Sequence, residues 1–68
     1  MAESATWLDN QEMELIRLLA EGLPADRIAR RLGISERTVR RRTRALCDRV
    51  GVPTAVQVVV WAARRGML

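Results

Sequence analysis

Hydrophobic and polar residues follow one another along this chain with the three- and four-residue spacing of α-helices, in four consecutive blocks. The first block begins after Asp9-x-x-Glu12, whose spacing resembles a capping box, and ends at Gly22. The second runs from about Ala25 to Leu32 behind Pro24 and has no good N-cap residue. These blocks predict two helices whose inward-facing residues are Leu15, Ile16, Leu19 and Ala20 in the first and Ile28, Ala29 and Leu32 in the second.

A third helix is predicted from Glu36 to about Val50, because Gly33 breaks the second block and Ser35 can cap the next one. Two helices joined by a short turn that contains glycine form the helix-turn-helix arrangement. One side of the third helix is apolar, with Val39, Thr43, Leu46 and Val50. The opposite side carries Arg37, Arg40, Arg41, Arg44 and Asp48. One face can therefore pack while the other meets a partner, and the stem of Arg42 is expected to cover the edge of the core.

A fourth helix is predicted after Gly51-Val52-Pro53, because Thr54-x-x-Gln57 has capping-box spacing and Arg64-Arg65-Gly66 closes the block. This helix is apolar nearly all round, which in so small a domain indicates a second contact surface. We expect one face to pack on the other helices, through Val56, Val59, Val60 and Ala63. The remaining face is then the expected dimer interface, with Ala55, Val58, Trp61 and Ala62; simple burial of these residues in the core is the alternative.

The composition argues against catalysis and against membrane insertion. Sixty-eight residues make one small domain, expected over 7–68 behind a disordered leader at 1–6, with Trp7 covering the edge of the core. The chain has no histidine, and its single cysteine, Cys47, can form neither an internal disulfide nor a zinc site. We therefore expect no enzyme activity, no cofactor, no metal and no small-molecule ligand. No apolar run reaches the roughly 18 residues of a membrane span, so we expect a cytoplasmic protein.

Charge is distributed unevenly between the two parts of the chain. Residues 1–26 carry one arginine and six acidic residues, whereas residues 27–68 carry eleven arginines and two acidic residues. Because the chain has no lysine, the presence of arginine alone says little, and its clustering is what matters. The asymmetry indicates that the later part binds a polyanion.

Three stretches carry a resemblance to a known family, namely Leu18 to Leu23, Ile28 to Val39 and Leu46 to Val52. With their glycine, cap and apolar positions in register, the run from Leu8 to Leu68 looks like the LuxR-type (GerE-type) DNA-binding domain of bacterial transcription regulators. The resemblance implies an all-α fold of four helices, with the third as recognition helix and the fourth as dimer interface. It also implies that bases are read at the positions of Arg40, Arg41 and Arg44.

Other positions are expected to contact phosphates. For Thr38 and the residues of the turn, the resemblance implies this contact; for the arginines, their place on the basic surface suggests it. These positions are Arg30, Arg31, Ser35, Arg37, Thr38 and Arg49. The sequence departs from the family at Arg42, where most members have histidine. With only six residues before Trp7, the chain is expected to be either an excised C-terminal domain beginning with an added Met1 or a standalone regulator.

The function expected from these observations is sequence-specific binding of double-stranded DNA for transcriptional regulation. The helix over residues 36–50 would lie in the major groove, and two copies would bind an inverted repeat, associated with the nucleoid when bound. RNA polymerase is a further partner left open by this interpretation. Two alternatives remain: a promoter-reading domain like that of a σ factor, and a helix-turn-helix module that binds another protein. The second would need an exposed apolar surface on the third helix.

Overall fold

Four helices make up residues 8–68, the part of the chain that this computed structural model describes; the leader at 1–6 and Trp7 lie outside it. They are α1 (Asn10–Ala20), α2 (Ala25–Leu32), α3 (Glu36–Val50) and α4 (Ala55–Arg64). The predicted all-α helix-turn-helix fold is confirmed. No single helix in this range is long and apolar enough to cross a membrane, although α3 and α4 together, bent by 51°, satisfy the length and composition of a span.

The predicted caps set the starts of the helices, to different degrees. At α1 the capping box is complete, because Oδ1 of Asp9 accepts from the Glu12 N–H at 2.7 Å and Oε1 of Glu12 accepts from the Asp9 N–H at 3.0 Å. At α4 Thr54 accepts from the Gln57 N–H at 3.3 Å, but its hydroxyl also donates to the Gln57 side chain. Before α2, Pro24 provides no side-chain cap, as its lack of a hydroxyl or carboxylate predicts.

The turn between α2 and α3 depends on Gly33. Its φ of +69° lies in the left-handed region, where a residue with a Cβ is strained. The N–H groups of Gly33 and Ile34 both bond to the carbonyl of Ala29, which ends α2 sharply. Ser35 then caps α3 immediately, so three residues separate the two helices. This short connection holds α3 against α2 and orients its outer face.

The core lies between the four helices, and most of its predicted members are present. Ile28 and Ala29 of α2 and Val39 and Leu46 of α3 are buried, as is Cys47. The prediction for α1 was partly wrong. Its buried residues are Leu15, Ile16 and Leu18, whereas Leu19 is half-buried and Ala20 is exposed. The buried side of α1 thus includes Leu18 in place of Ala20, and α1 packs against α4 as well as α2.

The prediction for α4 was wrong about which face packs inside the domain. Val58 and Ala62, assigned to an outward dimer face with Ala55 and Trp61, are both 0% exposed. Ala55 and Trp61 are half-buried. Conversely, the face expected to pack leaves Val56 71% and Val60 42% exposed. The outward apolar surface of this helix is therefore formed by other residues than those predicted.

Candidate nucleic-acid interface

The exposed side of α3 carries the arginines that the sequence singled out. Its opposite side holds Val39 and Leu46 in the core, which fixes how the helix is rotated. Every predicted base-reading residue is exposed, as is the arginine one turn before them: Arg40, Arg41, Arg44 and Arg37. The helix therefore presents several guanidinium groups on one solvent-facing side. Each has hydrogen-bond donors that match the acceptors of phosphate or of guanine.

Ser35 and Thr38 form a linked pair of hydroxyl groups at the start of α3. Oγ of Ser35 accepts from the Thr38 N–H at 3.0 Å and shares a second hydrogen bond with Oγ1 of Thr38 at 2.9 Å. Because either hydroxyl can donate in the bond between them, the other keeps its own proton free for a phosphate oxygen. The pair therefore offers one hydroxyl donor at the start of α3.

The last turn of α2 extends the basic surface beside the turn. Arg30 and Arg31 are both exposed there. Together with Arg27 and Leu23 they line a shallow surface cleft. Cations in the last turn also interact favourably with the dipole of their own helix. Arg30 and Arg31 are therefore favourable at this position even when no DNA is bound.

Arg49 is engaged with another helix, which the sequence analysis missed. Its Nη1 donates to Oε2 of Glu12 at 2.7 Å, joining the last turn of α3 to the first turn of α1. The two residues are 37 positions apart, and helical spacing gives no signal for a contact of that kind. A phosphate would have to compete with Glu12 for this guanidinium, and the phosphate role of Arg49 stays a prediction.

Arg40 is also paired, with Glu36 one turn earlier on the same helix. Nη2 of Arg40 donates to Oε2 of Glu36 at 2.8 Å. The sequence holds the signal for this pair, because glutamate four residues before arginine is a favourable arrangement on a helix. Within residues 8–68, neither Arg41 nor Arg44 forms an ion pair. The three base-reading candidates therefore differ in electrostatic environment.

Arg42 lies at the boundary between the exposed and buried sides of α3, as predicted. It is half-buried and separates two clefts. One cleft is lined by Leu15 of α1, the other by Leu32 and Ile34 beside the turn. This half-burial at the edge of the core agrees with the predicted position of Arg42.

The single cysteine has the properties of a core residue. Cys47 is buried on the core-facing side of α3. Burial raises the pKa of its thiol, and the nearby charge of Asp48 raises it further. A protonated, buried thiol is a poor nucleophile. The position therefore contributes packing to the domain that carries the basic surface.

The outer side of α4 is a second exposed surface, and it is apolar. Val56 and Val60 lie one turn apart and both face solvent. A cleft beside Val60 is lined by Gln57 and Trp61, and the guanidinium of Arg65 lies 5.0 Å from the centroid of the Trp61 ring. We call Val56 and Val60 the valine stripe. The polar residue that marks the solvent side of this helix, Gln57, lies next to it.

Comparisons with known proteins agree with this geometry. Residues 6–62 match the family described as bacterial regulatory proteins, luxR family. The chain is 44% identical over 55 residues to the candidate HTH-type transcriptional regulator Rv0890c of Mycobacterium tuberculosis, covering 81% of the chain and 6% of that protein. It is 33% identical over 63 residues to the transcriptional regulatory protein YdfI of Bacillus subtilis, covering 93% and 30%.

A further relative is a response regulator. Over 54 residues the chain is 35% identical to the nitrate/nitrite response regulator protein NarL of Escherichia coli K12, covering 79% of the chain and 25% of NarL. The chain thus spans less than a third of the length of each of these relatives. No solved structure matches it.

Proposed function

Because the chain belongs to the luxR family of bacterial regulatory proteins, we propose that it binds double-stranded DNA sequence-specifically for transcriptional regulation, with α3 in the major groove. The observation that carries this proposal is the exposure of Arg40, Arg41 and Arg44 on the side of α3 that faces away from the core. A helix held by a short glycine turn, with its outer side free of packing, has the form that enters the major groove. Transcriptional regulators among the relatives support the same function.

Base reading is assigned to Arg40, Arg41 and Arg44. Arginine can donate two hydrogen bonds to O6 and N7 of guanine, and each such contact discriminates by about 1–3 kcal/mol. Phosphate contact is assigned to residues around the turn and at the ends of α3, where they position the helix without reading sequence. These residues are Arg30, Arg31, Ser35, Arg37, Thr38 and Arg49.

Two copies are proposed to bind together through α4. The valine stripe supports this, because Val56 and Val60 are apolar, adjacent and outside the core of the protomer. A two-fold contact through one stripe relates the two α3 helices by the same two-fold axis, which matches the symmetry of an inverted repeat. Their half-sites would then lie about 10 bp apart in an inverted repeat. The pairing residues are therefore Val56 and Val60 in place of Val58 and Ala62.

Selection of binding sites from a random pool of duplex DNA tests the proposal. The expected result is enrichment of an inverted repeat that contains guanine at fixed positions. Titration of the enriched duplex at several salt concentrations should give a log–log slope of about −0.9 for each phosphate contacted. Recovery of an unchanged random pool would contradict sequence-specific binding.

The same selection separates the alternatives. Enrichment of a single half-site, bound by one copy, would favour a promoter-reading domain of the σ-factor kind over a paired regulator. A module that binds another protein through α3 would recover no site. The exposed side of that helix is formed by arginine, which is unsuited to an apolar protein contact and suited to DNA.

A further inference from the structure

Glu36 and Arg40 form an exposed ion pair within the surface proposed to read DNA. The bond is 2.8 Å long, and the side chains remain 67% exposed for Arg40 and 44% for Glu36. Glutamate lies one turn before arginine, which is the favourable order along a helix. Arg41 and Arg44 lack such a partner within residues 8–68. One of the three base-reading candidates is thus singled out by a carboxylate.

We propose that Glu36 is a specificity-determining residue. Its carboxylate weakens the contact of Arg40 with phosphates and leaves the Arg40 side chain able to read a base. This inference rests on the proposed function, because it concerns how the helix that enters the groove discriminates between sequences. Glu36 acts here through Arg40, so it is a positioning residue and contacts no base itself.

The effect on phosphate contact follows from charge. Binding of arginine to phosphate irrespective of sequence draws its free energy from released counterions and from direct attraction. With a carboxylate 2.8 Å from its guanidinium, Arg40 is part of a nearly neutral pair and releases fewer counterions. The carboxylate of Glu36 also repels a phosphate that approaches within a Debye length, about 10 Å at 0.1 M salt.

The effect on base contact is smaller, for two reasons. A guanidinium has five N–H donors, and the bond to Glu36 engages Nη2, so the others can still reach guanine O6 and N7. Those acceptors carry no net charge, so the carboxylate does not repel them as it repels a phosphate. The pair is exposed to solvent, which makes it weak, and Arg40 can therefore turn toward a matching base. Non-specific binding is thus reduced more than specific binding.

The substitution Glu36→Gln tests this inference, with Glu14→Gln as the matched control. Glu14 also pairs with an arginine, Arg17, at 3.5 Å on the exposed surface of α1, so both variants remove one carboxylate from an exposed pair. Fluorescence anisotropy would follow binding to two labelled duplexes, one selected from a random pool and one of scrambled sequence. Titrations at several salt concentrations give the affinity and the salt slope for each.

Glu36→Gln is expected to bind the scrambled duplex about threefold more tightly, with a salt slope steeper by about 0.9, as for one added phosphate contact. The ratio of specific to non-specific affinity should fall by a similar factor. Glu14→Gln should keep the parent slope and ratio. Equal behaviour of the two variants would overturn the inference while leaving the proposed function intact, whereas a parent that binds neither duplex overturns both.

A double-mutant cycle shows whether Glu36 acts through Arg40. In an Arg40→Gln background, the further change Glu36→Gln should alter the scrambled-duplex affinity and the slope much less than in the parent, because the cation that the carboxylate offsets is gone and only its direct repulsion of phosphate remains. Persistence of the full effect in that background would mean that Glu36 acts on DNA directly, and would overturn its assignment as a positioning residue for Arg40.

Discussion

Arg49 and Glu12 are joined across the domain by a 2.7 Å hydrogen-bonded ion pair. The same carboxylate uses its other oxygen to accept from the Asp9 N–H, so Glu12 both caps α1 and holds the last turn of α3. A carboxylate with two bonded oxygens is held in one orientation, which improves the geometry of its contact with arginine. The position of the end of α3 relative to α1 therefore depends partly on these two side chains.

Arg49→Gln should accordingly lower the stability of the domain. The free energy of unfolding is expected to fall by about 0.5–1 kcal/mol, the upper part of the range for pairs that solvent reaches. For a domain of this size the midpoint of thermal unfolding then falls by about 2–8 °C. Circular dichroism at low and high salt measures this. Arg31→Gln also removes a last-turn cation but no contact with Glu12, so it should lower the midpoint less. Identical melting of both variants would contradict a stabilising role for the pair.

Arg44 and Arg31 should differ in what their loss does to DNA binding. Arg44→Ala is expected to relax preference at particular base pairs, with about 1–3 kcal/mol of discrimination lost there. Arg31→Ala should weaken binding to all sequences alike and reduce the salt slope by about 0.9. Competition titrations with single-base variants of the selected duplex measure both. Equal, sequence-independent losses from the two changes would contradict base reading by Arg44.

The valine stripe gives a prediction for pairing. Val60→Glu places a charge on the outer side of α4, and two such charges meet at a two-fold contact, so cooperative binding to the inverted repeat should be lost. Because Val60 is 42% exposed, the fold should tolerate the change. Analytical sedimentation on and off DNA measures it. The control Val58→Ala, inside the core, should instead lower the free energy of unfolding by about 2 kcal/mol. Unaltered cooperativity in Val60→Glu would exclude the valine stripe as the pairing surface.

Cys47 should make stability fall at alkaline pH. Since burial raises the pKa of its thiol in the folded state, the folded chain holds this proton more tightly than the unfolded chain. The stabilisation is complete below the unfolded pKa of about 8.5 and is lost as pH rises through the folded value. The chain has no histidine, tyrosine or lysine, so no other side chain titrates between about pH 8 and pH 11. Urea unfolding across this range should show the decline, and Cys47→Ala should remove it.

Local signals predicted most of the fold, and they are readable because each acts over three or four residues. Asp9 and Ser35 correctly predicted the starts of α1 and α3, and Gly33 predicted the turn between α2 and α3. These residues satisfy backbone groups in their own segment, so their effect needs no knowledge of the rest of the structure. The same holds for the arginine side of α3, whose rotation follows from the apolar residues opposite it.

The rotation of α4 was not predicted, because its apolar residues surround the helix and give no clear phase. Polar positions were the better guide. Gln57 and Arg64 are nearly one above the other on the helix and both are exposed, whereas the buried residues, Val58 and Ala62, lie together on a different side. The Arg49–Glu12 pair could not be predicted for another reason. It depends on how α1 and α3 pack against each other, and no pattern within either helix indicates it.

The separation of α4 into a buried side and the valine stripe has a consequence for how such a domain can diversify. Val58 and Ala62 are fully buried inside the protomer, whereas Val56 and Val60 are exposed on its surface. Substitutions at the exposed positions disturb the core less than substitutions at the buried ones. In the proposed pairing, a change in the valine stripe would alter which copies recognise each other, while the helix proposed to read DNA stays the same.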